Sequence, residues 1–338
     1  MRTTLKGAWL VSAAVMLGGS GEPPDGSVGR ARGFQVQDGG LVDATGNGFI
    51  MRGIAHPHVW YRSQGRAFAD VKTAGANAVR VVLSGGRWTP ANNATDVAHV
   101  VSLCKTNRLV CVVENHDTTG FREQAGAVSL AQAVRYWQTV RDALMGEEAH
   151  VIINIGNEPY GNNNASAWVG DTRDAILAMR NAGFRHTLMV DAPNWGQDWQ
   201  FVMRDNGAAL LDDDPDRNTI FSVHMYGAFD TPAKVESYVS QFVNAGLPLI
   251  IGEFGWNHSN GDPDEDAIMA AAQRCGIGYV AWSWSGNGGG VDYLDLVKNF
   301  DPNQRTIWGE RVISGPDGLR QTAREACVYS GCEPARPR

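Results

Sequence analysis

The 338-residue sequence predicts an α/β fold of the (β/α)8 TIM barrel class, with an N-terminal β-hairpin at the barrel bottom. Three observations lead there. Eight short apolar runs alternate with segments of helical period, the rhythm of a parallel sheet wrapped in helices. Several helical segments stop on glycine just before the next run, as at Asn181-Ala182-Gly183 and Asn244-Ala245-Gly246. The first run ends in Ala55-His56-Pro57-His58 rather than in the glycine-rich phosphate turn usual in a doubly wound open sheet, and neither a G-x-G-x-x-G nor a Walker A pattern is present.

In chain order, residues 1–31 read as a signal peptide and disordered leader. Arg2 and Lys6 supply a positive start, Gly7 to Gly19 is apolar but too short to span a bilayer, and a Gly/Pro/Ser-rich stretch follows. Residues 32–338 read as one barrel domain with a short C-terminal tail. Phe34 to Phe49 alternates and carries two turn signals, Asp38-Gly39-Gly40 and Gly46-Asn47-Gly48, hence a hairpin. Strands are expected at Phe49–His56, Ala78–Ser84, Leu109–His116, Val151–Glu158, Thr187–Pro193, Ile220–Tyr226, Pro248–Phe254 and Gly278–Trp284. Helices are expected at Ala67–Ala76, Ala94–Asn107, Ser129–Gly146, Ala165–Ala182, Asp198–Leu211, Thr231–Ala245 and Pro263–Cys275, with a last one near Gly318–Cys327 after a long loop.

Composition sets bounds. With 43% hydrophobic and 19% charged residues the chain can bury a large core. A net charge of −7 and the lack of any basic patch with interleaved aromatics argue against nucleic acid and anionic membranes as partners. No later apolar run could anchor the chain, so the expectation is a secreted, soluble monomer. Five cysteines suit an exported protein. Cys327 and Cys332 could close a small loop, and Cys104 and Cys111 could pair across a helix-to-strand turn, leaving Cys275 as a small hydrophobe. No C-x-x-C pattern supports a structural zinc.

Catalytic groups of such barrels come from the carboxyl ends of the strands. Those ends carry His56, His58 and Trp60; Arg80; Glu114 to Asp117; Asn157 and Glu158; Asn194 and Trp195; His224 and Tyr226; Glu253; and Trp282 and Trp284. Two apolar strands ending in glutamate, VIINIGNEP and PLIIGEFG, suggest carboxylates facing each other across a pocket rimmed by aromatics. That pattern fits hydrolysis of a glycosidic bond. One acid with a raised pKa protonates the leaving oxygen, and the other attacks the anomeric carbon or activates water. Arg80 and Tyr226 are placed to keep the attacking group ionised, and Asn157 to bond a sugar 2-hydroxyl. Tryptophans stack on sugar faces.

The set Arg80, His116, Asn157-Glu158-Pro159, His224-x-Tyr226, Glu253-Phe254-Gly255 and Trp282 resembles glycoside hydrolase family 5, retaining (β/α)8 enzymes of clan A. The strings NEPYGN, DAPNWGQDW, FSVHMYG, PLIIGEFGWNHSN and GYVAWSWSGNGGGVDYLDL are similar to its bacterial endo-β-1,4-mannanases, over roughly Phe34 to Asp301. The resemblance implies a β-mannan polysaccharide substrate (mannan, galactomannan or glucomannan) and no cofactor or metal. It implies Glu158 as acid/base and Glu253 as nucleophile, with carboxyl groups about 5–5.5 Å apart. It further implies sugar contacts from His116 and His224, a floor at Trp282, and subsite aromatics at Trp60 and Trp195. Trp256 and Trp284 could equally be packing residues. Such mannanases often carry a separate carbohydrate-binding module; none follows here, so weaker grip on insoluble mannan is expected.

Four rivals remain. A β-1,4-glucanase would use the same chemistry and differ only in loops. A zinc amidohydrolase would place His56-x-His58 on metal, but it also needs a strand-four bridging ligand and a strand-eight aspartate, where this chain has Glu158 and Trp282-Ser283-Trp284. A silent sugar-binding barrel would normally have lost one carboxylate. A serine hydrolase lacks its G-x-S-x-G elbow.

Overall fold

The computed structural model describes Met1 and residues 33–332, and Ala31–Arg338 form one compact unit. The expected signal peptide and leader, residues 1–31, lie outside the described residues apart from Met1. The chain opens with three short antiparallel strands, β1 (Gln35–Gln37), β2 (Gly40–Val42) and β3 (Gly48–Phe49). Eight parallel strands then close into a barrel: β4 (Arg52–His56), β5 (Ala78–Leu83), β6 (Val110–Asn115), β7 (Val151–Asn154), β8 (Leu188–Asp191), β9 (Thr219–Met225), β10 (Leu249–Phe254) and β11 (Gly278–Ala281), with β11 pairing back onto β4.

Seven helices lie where the periodicity puts them: α1 (Ala67–Ala74), α2 (Ala94–Thr106), α3 (Leu130–Thr139), α4 (Trp168–Asn181), α5 (Val202–Asp213), α6 (Pro232–Asn244) and α7 (Glu265–Cys275). Their starts are chemically marked. Asn93 and Asp264 accept from the backbone N–H groups of Asp96 and Ala267, and Ser129 with Gln132 forms a reciprocal capping box. Two expectations need correction. The helix that completes the barrel is α8 (Ile307–Ser314), upstream of the expected Gly318–Cys327 stretch, which holds one single-turn helix (Leu319–Thr322), with another (Cys327–Ser330) starting at its end. Gly309 inside it and Gly315 after it weaken its helical signal, and its start depends on Thr306, whose hydroxyl accepts from the Gly309 N–H. Likewise β7 stops at Asn154 rather than at Glu158.

The strands alternate between two environments. Side chains such as Val79, Val81, Val113 and Ile153 pack outward against the helices, in one cluster with Val97, Val134 and Ile176. Ala78, Val110, Val112, Ile152, Met189, Ile220, Ile250 and Val280 fill the interior, together with Phe34, Leu41, Phe49 and Met51 from the opening hairpin. The hairpin therefore closes the barrel at the start of its strands, as expected. Asn218 fastens it: its Oδ1 accepts from Val36 N (2.9 Å) and Thr187 Oγ1 (3.0 Å), and its Nδ2 donates to the Phe34 carbonyl (3.0 Å).

Continuing upward, the inward positions change character within single strands: Val112 then Glu114, Ala78 then Arg80, Ile152 then Asn154, Met189 then Asp191, and Ser222 then His224. Disulfides join Cys104 to Cys111 and Cys327 to Cys332, and the half-buried Cys275 is free, as the spacing suggested.

Replacing Asn218 by alanine leaves the Val36 N–H and the buried Thr187 hydroxyl without this acceptor and takes one donor from the Phe34 carbonyl. The expected cost is about 1–3 kcal/mol in urea unfolding. Turnover of the folded protein should stay unchanged, because Asn218 stands at the opposite end from the polar mouth. An unchanged unfolding midpoint would show that the hairpin is not fastened through Asn218.

Candidate active site

Glu253 owes its position to a local irregularity in β10. The pairing register shifts between Ile251 and Glu253 against β9, and between Ile251 and Phe254 against β11. Gly252 faces the interior with no room to spare: a Cβ there would collide with Ser222 Oγ and stand 2.8 Å from Met189 Cε. The bulge turns the next residue, Glu253, into the mouth as well. Both its oxygens accept hydrogen bonds, Oε1 from Arg80 (2.7 Å) and Oε2 from the Tyr226 hydroxyl (2.9 Å).

Glu158 is held differently. Past the end of β7 the chain turns through Ile155-Gly156-Asn157, and Glu158 adopts a left-handed backbone with φ of 40°. Its carbonyl accepts from Gly120 N (3.0 Å), its own N–H donates to Asp191 Oδ2 (3.3 Å), and its Oε1 lies 2.8 Å from His224 Nδ1. A ligand atom from each of Glu158, His224 and Glu253 falls within 4.8 Å of the other two.

Arg80 joins the rest. Fully buried, it donates to Asn154 Oδ1 through Nε (3.1 Å) and Nη2 (2.8 Å), to Asn157 Oδ1 (2.7 Å) and to Asp191 Oδ2 (3.2 Å), with Glu114 Oε1 at 3.7 Å. His224 stands between the acids, with Nε2 3.2 Å from Asp191 Oδ2 but off-line for a hydrogen bond, and Nδ1 3.6 Å from Glu253 Oε2. Gly196 makes room for it: with φ of 74° and the imidazole pressed against its Cα, it admits no side chain.

The charges are mutually set. Burial opposes charge on His224, but Glu253, Asp191 and Glu158 outweigh it and raise the pKa from 6.5 to about 10. Burial would push Asp191 up, yet His224 and Arg80 bring it down to about 2. Glu158 is raised, by burial first and with Glu253 adding to it, against the opposing pull of His224. Burial raises Tyr226 well above the ordinary phenol range, and Glu253 adds to that.

An aromatic cage continues from this centre. His116, bonded through Nδ1 to Glu114 Oε1 (2.9 Å), stacks on Trp282 with ring centroids 5.8 Å apart at 15°, and Trp60 and Trp88 approach it at 5.4 and 5.3 Å. Trp282 is fixed by its indole N–H on Asn287 Oδ1 (2.9 Å). The structure therefore brings together Glu158, Glu253, Arg80, Asn157, His224 and Tyr226, with His116, Trp282 and Trp60 beside them. Trp195 stands further along, its ring over Gly120. Trp284 is core, and Trp256 is half-buried with its N–H on the Tyr293 carbonyl (2.8 Å).

The metal-binding rival fails on contacts. His56 is packed against Phe68 and Phe300, burial first and the neighbouring His58 second lower its pKa to about 3, and His58 Nε2 is engaged by Asp96 (3.1 Å). Neither is directed at the carboxylate pair.

Residues 42–288 match the cellulase family, glycosyl hydrolase family 5. The chain belongs to that family. Among its relatives is a mannan endo-1,4-beta-mannosidase of Streptomyces lividans, 52% identical over 90% of this chain and 81% of the relative. Another mannan endo-1,4-beta-mannosidase, from Cellvibrio japonicus, is 48% identical over 90% of this chain and 71% of the relative. Among solved structures, a beta-mannanase from Thermomonospora fusca superposes with a TM-score of 0.87 at 57% identity, covering 88% of this chain and all of that one.

The sequence reading left Asn154, Asp191 and Trp88 off its site, and gave Glu114 no role. The signal available for the first two was a polar residue at an inward position of an otherwise apolar strand. Trp88 carried no comparable mark.

His224 gives a stability prediction. Its folded pKa of about 10 lies above its ordinary 6.5, so the folded state binds the proton more tightly. The stabilisation is complete below about pH 6.5 and is lost as pH rises toward 10. Urea unfolding should show lower stability at about pH 9 than at about pH 6, with a smaller difference in His224→Gln. An equal difference in that variant would assign the slope to other groups.

Proposed function

We propose that this family 5 chain is an endo-acting β-1,4-mannanase that cleaves mannan, galactomannan or glucomannan with retention of configuration. Glu253 is the nucleophile and Glu158 the acid/base. The observation that carries the reading is the close approach of the two carboxylates, within 4.8 Å at their nearest ligand atoms. Inverting pairs stand about 6.5–9.5 Å apart to admit a water, whereas retaining pairs are closer.

In the first step Glu158 gives its proton to the glycosidic oxygen while Glu253 attacks the anomeric carbon, and the leaving sugar departs with that proton. In the second, a water loses its proton to Glu158 and displaces Glu253. Burial supports the acid role by holding Glu158 protonated above the ordinary range. Two hydrogen bonds accepted by Glu253, one from a guanidinium, suit an anionic nucleophile. His116, His224 and Asn157 contact sugar hydroxyls, Trp282 floors the cleavage point, and Trp60 and Trp195 extend the binding surface.

Mannan is favoured over cellulose because relatives at 48–52% identity are named mannan endo-1,4-beta-mannosidases. The same reading takes residues 1–31 as export signal and leader and 32–338 as one catalytic unit, acting outside the cell as a monomer. The described residues 33–332 fall in one compact unit, which supports a single catalytic unit, and among them no helix is long and apolar enough to cross a membrane.

Reducing-sugar release and product sizes from linear mannan, galactomannan and carboxymethylcellulose test this directly. Short manno-oligosaccharides from the mannans alone, with Glu253→Ala inactive and folded, are the expected result. Cleavage of the cellulose derivative instead would overturn the substrate while leaving the chemistry. Glu158→Gln should lose about 10²–10⁴-fold on natural linkages and far less on activated aryl mannosides. Equal losses on both would remove Glu158 from the acid role.

A further inference from the structure

One concavity at the mouth does not contain the carboxylate pair. A groove of 660 Å³ lies beside it, lined by Trp199, Phe201, Gln197, Ala228, Lys234 and Asn260. Its walls are the segments following β8, β9 and β10, together with α6. It therefore opens at the same carboxyl-terminal rim as Glu158 and Glu253.

Its walls are continuous with the cleft. Gln197 follows Gly196, whose carbonyl accepts from His224 N (2.7 Å). Gly227 follows Tyr226, the hydroxyl donor to Glu253. Asn260 ties the two walls, accepting from Gly227 N (3.1 Å) and donating to Gln197 Oε1 (3.2 Å). His258, next to Asn260, packs on Tyr226 with ring centroids 4.5 Å apart.

Two aromatic rings are presented here to solvent and also held still. Trp199 is 49% exposed, yet its indole N–H is fixed on Asn162 Oδ1 (2.9 Å), in the turn that carries Glu158. Phe201 is 41% exposed, with the Arg204 guanidinium 3.7 Å from its ring centre on one face. Its backbone has φ of 60°, a left-handed conformation unfavourable for a bulky residue. The buried Asp198 sustains it by accepting from Met203 N (2.9 Å), Arg204 N (2.9 Å) and the Tyr238 hydroxyl (2.7 Å). Rigid exposed rings edged by carboxamides make a surface that stacks on the apolar faces of pyranose rings. Lys234 is already paired with Asp230 (2.7 Å), so the groove has no unpaired cation to select an anionic ligand.

We propose that this groove is a second sugar-binding site, which holds rings of the β-mannan polymer remote from the bond being cleaved. It rests on the mannanase reading above, since the occupant is the same polysaccharide. A polymer engaged at both places is tethered by two contacts, so its second contact is made at high local concentration. An oligosaccharide too short to leave the cleft gains nothing from the groove.

The test is the double variant Trp199→Ala/Phe201→Ala, compared with wild type on galactomannan, linear mannan and mannotetraose. On the polymers KM should rise about 5- to 100-fold, from the loss of two stacking contacts, with kcat unchanged. On mannotetraose both constants should stay at wild-type values. Trp199→Tyr/Phe201→Tyr, which keeps the rings, should restore the polymer KM. An unchanged polymer KM, or an equal rise on mannotetraose, would overturn the proposal. Failure of the wild type to cleave any mannan is a separate result; it would overturn the mannanase reading and this inference together.

Discussion

The site depends on one buried guanidinium. Arg80 has no solvent to stabilise its charge, and an isolated ion in that position would cost several kcal/mol. It is tolerated because four oxygens on four side chains accept from it: Glu253, Asn154, Asn157 and Asp191. Lysine could not replace it, since a single ammonium has no planar fork to reach groups on β7, β8 and β10 at once. The dependence is mutual. Without Arg80, Asp191 and Glu253 would be buried anions with reduced compensation, and the Asn157 that leads into Glu158 would lose its anchor. One residue thus fixes the distance between a strand carboxylate and a turn carboxylate that are 95 positions apart in sequence, from 158 to 253.

The barrel separates this demand from the demand for stability along the axis of each strand. Lower inward positions are Ala, Val, Ile and Met packed onto the hairpin, and the next inward positions are Glu114, Arg80, Asn154, Asp191 and His224. Both sets sit on the same hydrogen-bonded ladder, so apolar packing below holds polar groups above to within a fraction of an ångström. β10 departs from the pattern. Its bulge at Gly252 lets two successive residues face inward, and only glycine fits at the first because Ser222 and Met189 occupy the space. The position of Glu253 is thus bound to a local loss of regular pairing.

That division also accounts for what the sequence makes legible. Strands buried on both faces read as continuous apolar runs, so all eight were placed with ends off by a few residues. α8 was missed because Gly309 and Gly315 dilute its pattern, and because the long loop before it hides its start. Glu158 and Glu253 were legible as strand-end acids. The bulge under Glu253 and the left-handed turn at Glu158 were not, because both arise from contacts with distant strands. Asp191 shows the limit most clearly. In DAPNWGQDW it looks like a strand-closing residue before a proline, and only closure of the barrel sets it against Arg80 and His224. Trp199, in the same string, carried no mark of its exposure, and in the fold its indole N–H is held on Asn162.

The two glutamates share one chemistry, and their surroundings set them apart. Glu253 lies within a strand with a donor on each oxygen, whereas Glu158 lies in a turn with a single imidazole partner. Their coupling also suits the proposed two-step reaction. The negative charge of Glu253 helps raise Glu158. Once Glu253 is esterified to the sugar that charge is gone, and the pKa of Glu158 should fall, just when it must change from acid to base. His224 stands near both groups, 2.8 Å from Glu158 and 3.6 Å from Glu253, with Asp191 3.2 Å away on its far side. In the proposed reaction a newly ionised Glu158 faces this imidazole, whose pKa its acidic neighbours raise.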